Sequence, residues 1–197
     1  MNITQIVEDV QRALGVAIDG NPGPVTWAAI HARIVGRVNP KDAYLPPASD
    51  AVDERSEKNI ATLHERVRPY ARALVNLAKS QGIDIKVISG LRTYEEQNAL
   101  FAKGGVTKAR GGYSNHNFGL AFDIGLFEGP HYISGSPQYK AIGSLGIGLG
   151  LEWGGSWTSF VDEPHFQLRP QWAKNMSERD MLAELRKRKA NNTDAFA

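Results

Sequence analysis

Two short segments of this chain hold the groups whose types and spacing could do chemistry. In Ser114-Asn115-His116-Asn117-Phe118-Gly119-Leu120-Ala121-Phe122-Asp123 an imidazole stands at the mouth of an expected strand and a carboxylate lies inside it. Successive residues of an extended chain face opposite ways. Phe122 and Ile124 therefore share one face, and Asp123 takes the other, between Ala121 and Gly125. Those small neighbours leave room for a metal ion beside a carboxylate that would be costly to bury alone. Further on, Asp162-Glu163-Pro164-His165-Phe166 brings a second imidazole together with two acids. Two His and one Asp leave a fourth tetrahedral position for water, which is the arrangement of a catalytic zinc centre, whereas structural zinc sites are closed and usually contain cysteine. The chain has no cysteine, so its transition-metal ligands must be His, Asp or Glu.

By itself His116 followed seven residues later by Asp123 is a weak pattern. His31, His64 and His131 have no acidic or His partner at strand spacing and are expected to be structural. Spacing leaves the general base open between two acids. In a regular strand Glu163 shares the face of His165 and Asp162 points away. Pro164 weakens that argument, because proline cannot donate to a ladder and sits at edges or strand starts.

The elements that must position these groups follow from periodicity. Residues 83–89 and 120–127 read as strands, as does the short HFQL of 165–168. Ile60, Leu63, Val67, Ala71, Leu74 and Ala78 form a helical stripe, and Pro69 fits the first turn of a second helix better than the middle of one long helix. Thr93 and Glu96 make a capping box after the turn that carries Arg92. GSPQYKAIGSLGIGLGLEWGG reads as a helix followed by a Gly-rich turn. ERDMLAELRKRKA reads as a terminal helix and NNTDAFA as a frayed tail. This order predicts an α+β domain with a small antiparallel sheet flanked by helices.

In front of it, Ile3, Ile6, Val7, Val10 and Leu14 mark one face of a short helix, and Thr26 caps a second helix through Trp27, Ile30 and Ile34. The predicted organisation is a helical module over 1–38, a Pro-stiffened linker over 39–55, the catalytic domain over 56–176, and a helix with tail over 177–197. At 197 residues with 42% hydrophobic and 22% charged, the chain has a globular balance and no run of about 20 apolar residues that could span a bilayer, so stable membrane insertion is not expected. The first residues resemble no secretory signal, which predicts synthesis in a cytoplasm. A net charge of +2 is too small to argue for nucleic acid. The Arg186-Lys187-Arg188-Lys189 run reads as a solvated face, with weak attraction to an anionic wall or membrane as the sharper alternative. A monomer is expected.

The two site segments resemble the signature of the zinc D-alanyl-D-alanine carboxypeptidase and L-alanyl-D-glutamate endopeptidase family, in which S-x-H-x(6)-D is followed by acid-x-x-His. The matches are Ser114, His116, Asp123, Asp162 and His165, and the flanking SGLRTYEEQNALFAKG and WGGSWTSFVDEPHFQ resemble its phage endolysin and autolysin branch. The resemblance covers about residues 56–170. It implies a Hedgehog/D,D-peptidase-like fold with a Zn2+ ion on His116, Asp123 and His165. It further implies Asp162 as general base and Arg92 steadying the oxyanion or the substrate, the alternative for Arg92 being an ion pair with Glu95 or Glu96. Ser114 is implied at the substrate or at the His116 backbone. Asp rather than Glu at position 162 fits the endopeptidase branch.

The expected partner is therefore bacterial peptidoglycan, reached by phage-type release. The rivals are a D-alanyl-D-alanine carboxypeptidase and, from a different class, a non-catalytic wall-binding protein. VEDVQRALGVAIDGNPGPVTWAAI resembles the small helical peptidoglycan-binding repeat, in Val10, Gln11, Leu14, Asp19, Gly20, Gly23, Pro24, Thr26 and Trp27. Trp27 is then either a sugar-stacking ring or a core residue.

Overall fold

The computed structural model describes residues 2–16, 18–23, 26, 27, 29, 30, 33, 51–105 and 107–197. The chain divides into two compact units, Met1–Leu45 and Pro46–Ala197.

In the first unit, helix α1 (Ile3–Leu14) is capped by the Asn2 side chain and stopped by left-handed Gly15. Its buried face is Val7 with Gln11, and Ile3 and Ile6 of the expected apolar stripe are exposed. Gln11 organises the unit. Its Nε2 donates to Asp19 Oδ1, to the Asn21 carbonyl and to Thr26 Oγ1, while its Oε1 accepts from the backbone of Asp19 and Gly20. Thr26, expected as a cap, is itself helical, and its hydroxyl serves Gln11 instead. Trp27 is 60% exposed. His31, Ile34, Pro24 and residues 39–50 of the expected linker lie outside the described residues.

The second unit starts with α2 (Glu54–Ile60), whose Asp53 cap draws the last residues of the expected linker into the domain. The chain breaks before Pro69, which sits in the first turn of α3 (Arg68–Ser80), as its fixed φ and missing N–H favour. Strand β1 (Ile85–Ser89) leads to α4 (Tyr94–Lys103), where the Thr93–Glu96 capping box is complete. Then come a 3-10 turn (Asn115–Phe118), β2 (Ala121–Glu128), β3 (His131–Ile133), α5 (Gln138–Gly148), β4 (Glu152–Trp153), β5 (His165–Gln167) and α6 (Glu178–Ala190).

All strand pairs are antiparallel, in the order β1-β2-β5-β4, with β3 also on β2. The small antiparallel sheet flanked by helices is therefore present. Strands β3 and β4 escaped prediction because two or three residues carry no periodic signal. Phe122, Ile124 and Phe166 are fully buried with Val87, Leu74 and Leu63, so one face of β2 enters the core as alternation requires. Gly143 and Gly146 of α5 serve close packing: a Cβ on Gly146 would meet the Phe166 ring at 2.4 Å.

The C-terminal segment corrects two expectations. The tail is docked: Trp172 Nε1 donates to the Ala195 carbonyl, Phe196 lies 4.7 Å from the His64 ring, and His64 Nε2 is 3.1 Å from Asp194 Oδ2. The basic run is not a uniformly solvated face either. Arg186 donates to the Gly112 carbonyl, Lys189 to that of Asn117 and Arg188 to that of Ala197, while the Lys187 side chain is exposed. Aromatic rings under Arg186 (Tyr113) and Arg188 (Trp172) hold these side chains down, a tertiary effect that a charge pattern does not reveal.

Candidate metal centre and cleft

Three cross-strand neighbours set the floor of the site. Ser89 of β1, Asp123 of β2 and His165 of β5 stand in one row, after a register shift between Val87 and Ser89. His116 reaches the row from the 3-10 turn. That turn is braced by Asn117, which is fully buried, donates to the Arg92 carbonyl and accepts from Gly112 N–H. The Arg92 N–H bonds the His116 carbonyl, tying the two turns together.

The side chains of His116, Asp123 and His165 converge. His116 Nε2 and His165 Nδ1 each lie 3.2 Å from Asp123 Oδ1, and the three ligand atoms all fall within 4.8 Å of one another. Each imidazole has its outward nitrogen engaged: His116 Nδ1 is 2.7 Å from the Gly90 carbonyl, and His165 Nε2 is 3.0 Å from Gln167 Oε1. An acceptor on the outer nitrogen lets that nitrogen keep a proton, so that a bound ion could take the lone pair of the inner one. Zinc bonds of about 2.0–2.1 Å give tetrahedral ligand edges of about 3.3 Å, so the observed separations fit a divalent ion. This is the one such cluster among the described residues. Gly90 has no room for a side chain, since a Cβ would lie 2.6 Å from the Asn59 carbonyl.

Burial opposes charge on Asp123, but the charge of His116 and the hydrogen bonds of both imidazoles outweigh it and hold the carboxyl well below the usual range. Burial likewise disfavours His165 imidazolium, and the Asp123 contact more than offsets it. Arg92 Nη2 donates to Asp123 Oδ2 and to Ser89 Oγ. Glu96 is occupied with the α4 cap, and the ion pair of Arg92 is with Asp123 rather than with Glu95 or Glu96.

The centre opens into a cleft of about 920 Å³. Asp162 lines it and Glu163 does not; the Glu163 carbonyl instead accepts from Trp153 Nε1. Burial, then the negative charge of Asp123, raise the Asp162 pKa. Ser114 lines the cleft with its side chain free of any capping bond. Trp157, whose ring is 5.0 Å from that of His165, was not singled out from sequence. Neither was Gln167, although its position two residues after His165 on one strand face was a usable signal.

Family models described as D-alanyl-D-alanine carboxypeptidase match residues 107–168 and 60–135. Over 124 residues the chain is 36% identical to the peptidoglycan L-alanyl-D-glutamate endopeptidase CwlK of Bacillus subtilis (strain 168), covering 55% of this chain and 74% of that protein. The chain belongs to the D-alanyl-D-alanine carboxypeptidase and L-alanyl-D-glutamate endopeptidase family. A second member of this family, the L-alanyl-D-glutamate peptidase of Listeria phage A118, is 34% identical over 116 residues, 57% of this chain and 40% of that protein. The peptidase fold is also that of the Serratia marcescens L-Ala D-Glu endopeptidase ChiX, with a TM-score of 0.51 and 25% identity over 64% of this chain and 96% of that one. No helix among the described residues is long and apolar enough to cross a membrane.

Proposed function

We propose that this chain is a zinc-dependent L-alanyl-D-glutamate endopeptidase acting on the stem peptides of bacterial peptidoglycan. The observation that carries the reading is the Asp123 oxygen held 3.2 Å from both imidazole nitrogens on the floor of a cleft that Asp162 also lines. His116, Asp123 and His165 would hold the ion, which supplies Lewis acidity and a water of lowered pKa. Asp162 takes the proton of the attacking water and passes it to the leaving amine of D-glutamate as the L-alanyl amide bond breaks. Arg92 balances the Asp123 charge and presents a fixed guanidinium beside the growing oxyanion. Ser114 is assigned to substrate, because its side chain is not used in capping.

Recognition of D-glutamate requires a cation, since its α-carboxylate stays free when the γ-carboxyl continues the stem. Of the cleft's Lys and Arg residues, Arg92 pairs with Asp123, and Arg169 with Glu152 and Glu178. Lys108 pairs with no carboxylate among the described residues and rests over the Phe160 ring at 4.9 Å. It is assigned to the substrate carboxylate.

The first unit is assigned to wall attachment, with exposed Trp27 available for stacking on sugar. A monomer acting at the wall after phage-type release fits both units. The family models' description favours D-alanyl-D-alanine carboxypeptidase as the second reading. Mass spectrometry of peptidoglycan digested by zinc-loaded protein, with a chelator-treated control, separates them. New D-glutamate amino termini lost on chelation support the endopeptidase, released D-alanine supports the carboxypeptidase, and neither product leaves a wall-binding protein.

A further inference from the structure

His165 can offer Nδ1 inward only while its Nε2 carries the proton, and the acceptor for that proton is Gln167 Oε1 at 3.0 Å. A carboxamide has a donating end and an accepting end, so one of its two orientations would leave His165 without an acceptor. The surroundings of Gln167 select the other. Its Nε2 donates to Glu152 Oε2 at 2.6 Å, and an ionised carboxylate can only accept. Its Oε1 also receives Asn115 Nδ2 at 2.7 Å, and an amide nitrogen there can only donate.

Both neighbours are themselves fixed. Arg169 donates to Glu152 and, through Nη2, to Glu178 Oε2 at 2.7 Å, while Glu178 Oε1 accepts from Asn115 Nδ2. The contacts close a ring: Gln167, Glu152, Arg169, Glu178, Asn115 and back to Gln167. Two carboxylates and one guanidinium give every link one direction. Reversing the Gln167 amide would set two acceptors together at Glu152 and two donors together at Asn115.

We propose that this ring is a positioning device that locks the Gln167 amide and through it the tautomer and orientation of His165. Glu178 lies in the first turn of α6, beyond the residues that the family models match, so the C-terminal helix is a working part of the centre. The proposal rests on the zinc reading above for its effect on metal. Its effect on the imidazole does not need metal at all.

The test uses the full chain. Histidine-selective proton–nitrogen NMR of the metal-free protein follows the His165 Nε2 proton, and competition against a chromophoric chelator reads zinc affinity. Gln167→Leu is expected to speed exchange of the His165 Nε2 proton with water and to weaken zinc about 10–100-fold, the usual consequence of losing an outer-shell partner. Glu152→Gln keeps volume but removes the polarity of the ring, and it should also speed exchange of the Nε2 proton. The double variant Gln167→Glu with Glu152→Gln restores an acceptor for His165 and a donor facing it, and should recover affinity to within a few-fold. Glu178→Gln tests the helix and should weaken zinc measurably. Native affinity with an unchanged Nε2–H signal in folded Gln167→Leu or in Glu152→Gln overturns the ring. A wild-type protein that binds no zinc but whose variants show these changes in Nε2 proton exchange refutes the zinc reading and keeps the ring.

Discussion

Asp123 and His165 are direct partners across the β2–β5 ladder, and the pairing leaves His165 Nδ1 3.2 Å from Asp123 Oδ1. Antiparallel partners bring their Cβ atoms to about 4.5–5.5 Å, so the ladder itself brings the two side chains to one point. His116 joins them from a braced turn as the third candidate ligand.

Asp123→Asn preserves shape and removes the anionic ligand. Zinc affinity should fall by more than about 100-fold, beyond the range of outer-shell losses. Isothermal titration calorimetry checks this, and native affinity would remove Asp123 from the ligand set.

Asp162→Asn should bind zinc and lose about 10²–10⁴-fold in kcat, the usual worth of a general base. Glu163→Gln should hydrolyse peptidoglycan near the native rate, because Glu163 does not line the cleft. The opposite pattern in a turnover assay would transfer the base to Glu163.

Lys108→Gln should raise KM about 10-fold with kcat little changed, since one hydrogen bond between charged groups is worth about 1.5 kcal/mol. A stem peptide with D-isoglutamine in place of D-glutamate should show no such difference between the two proteins. Equal loss on both substrates would refute carboxylate recognition.

Glu57 and Arg72 form a two-pronged pair joining α2 to α3, with bonds of 2.9 and 2.8 Å. Arg72 lowers the Glu57 pKa, against a smaller opposing effect of burial. A depressed carboxyl stabilises the fold above its unfolded value of about 4.3 and loses that contribution as pH falls through the lower folded value. Urea unfolding should therefore show Glu57→Gln less stable than wild type by about 0.5–1 kcal/mol at neutral pH, with the gap closing in acid. A gap independent of pH would show that packing and not charge joins the helices.

The sequence by itself determined the helices of the second unit, three of its five strands and the candidate residues of the centre. Alternation in 120–127 put Asp123 opposite Phe122 and Ile124, Pro69 split two helices, and Thr93 with Glu96 started a third; each is a local rule that needs no partner. The resemblance of the two His segments to a zinc peptidase family narrowed the activity. Tertiary structure alone decided what distant residues do to one another. Asp162 rather than Glu163 lines the cleft because the turn at Pro164 breaks strand alternation. Arg92 turns to Asp123, and the basic run of α6 bonds the turn carrying His116, because both meet partners 31 or more residues away. The ring behind His165 joins residues 115, 152, 167, 169 and 178, and no periodicity in the chain encodes such a set. Hydrogen bonds of that kind depend on distance and direction after folding, whereas helices, strands and caps are written in neighbours.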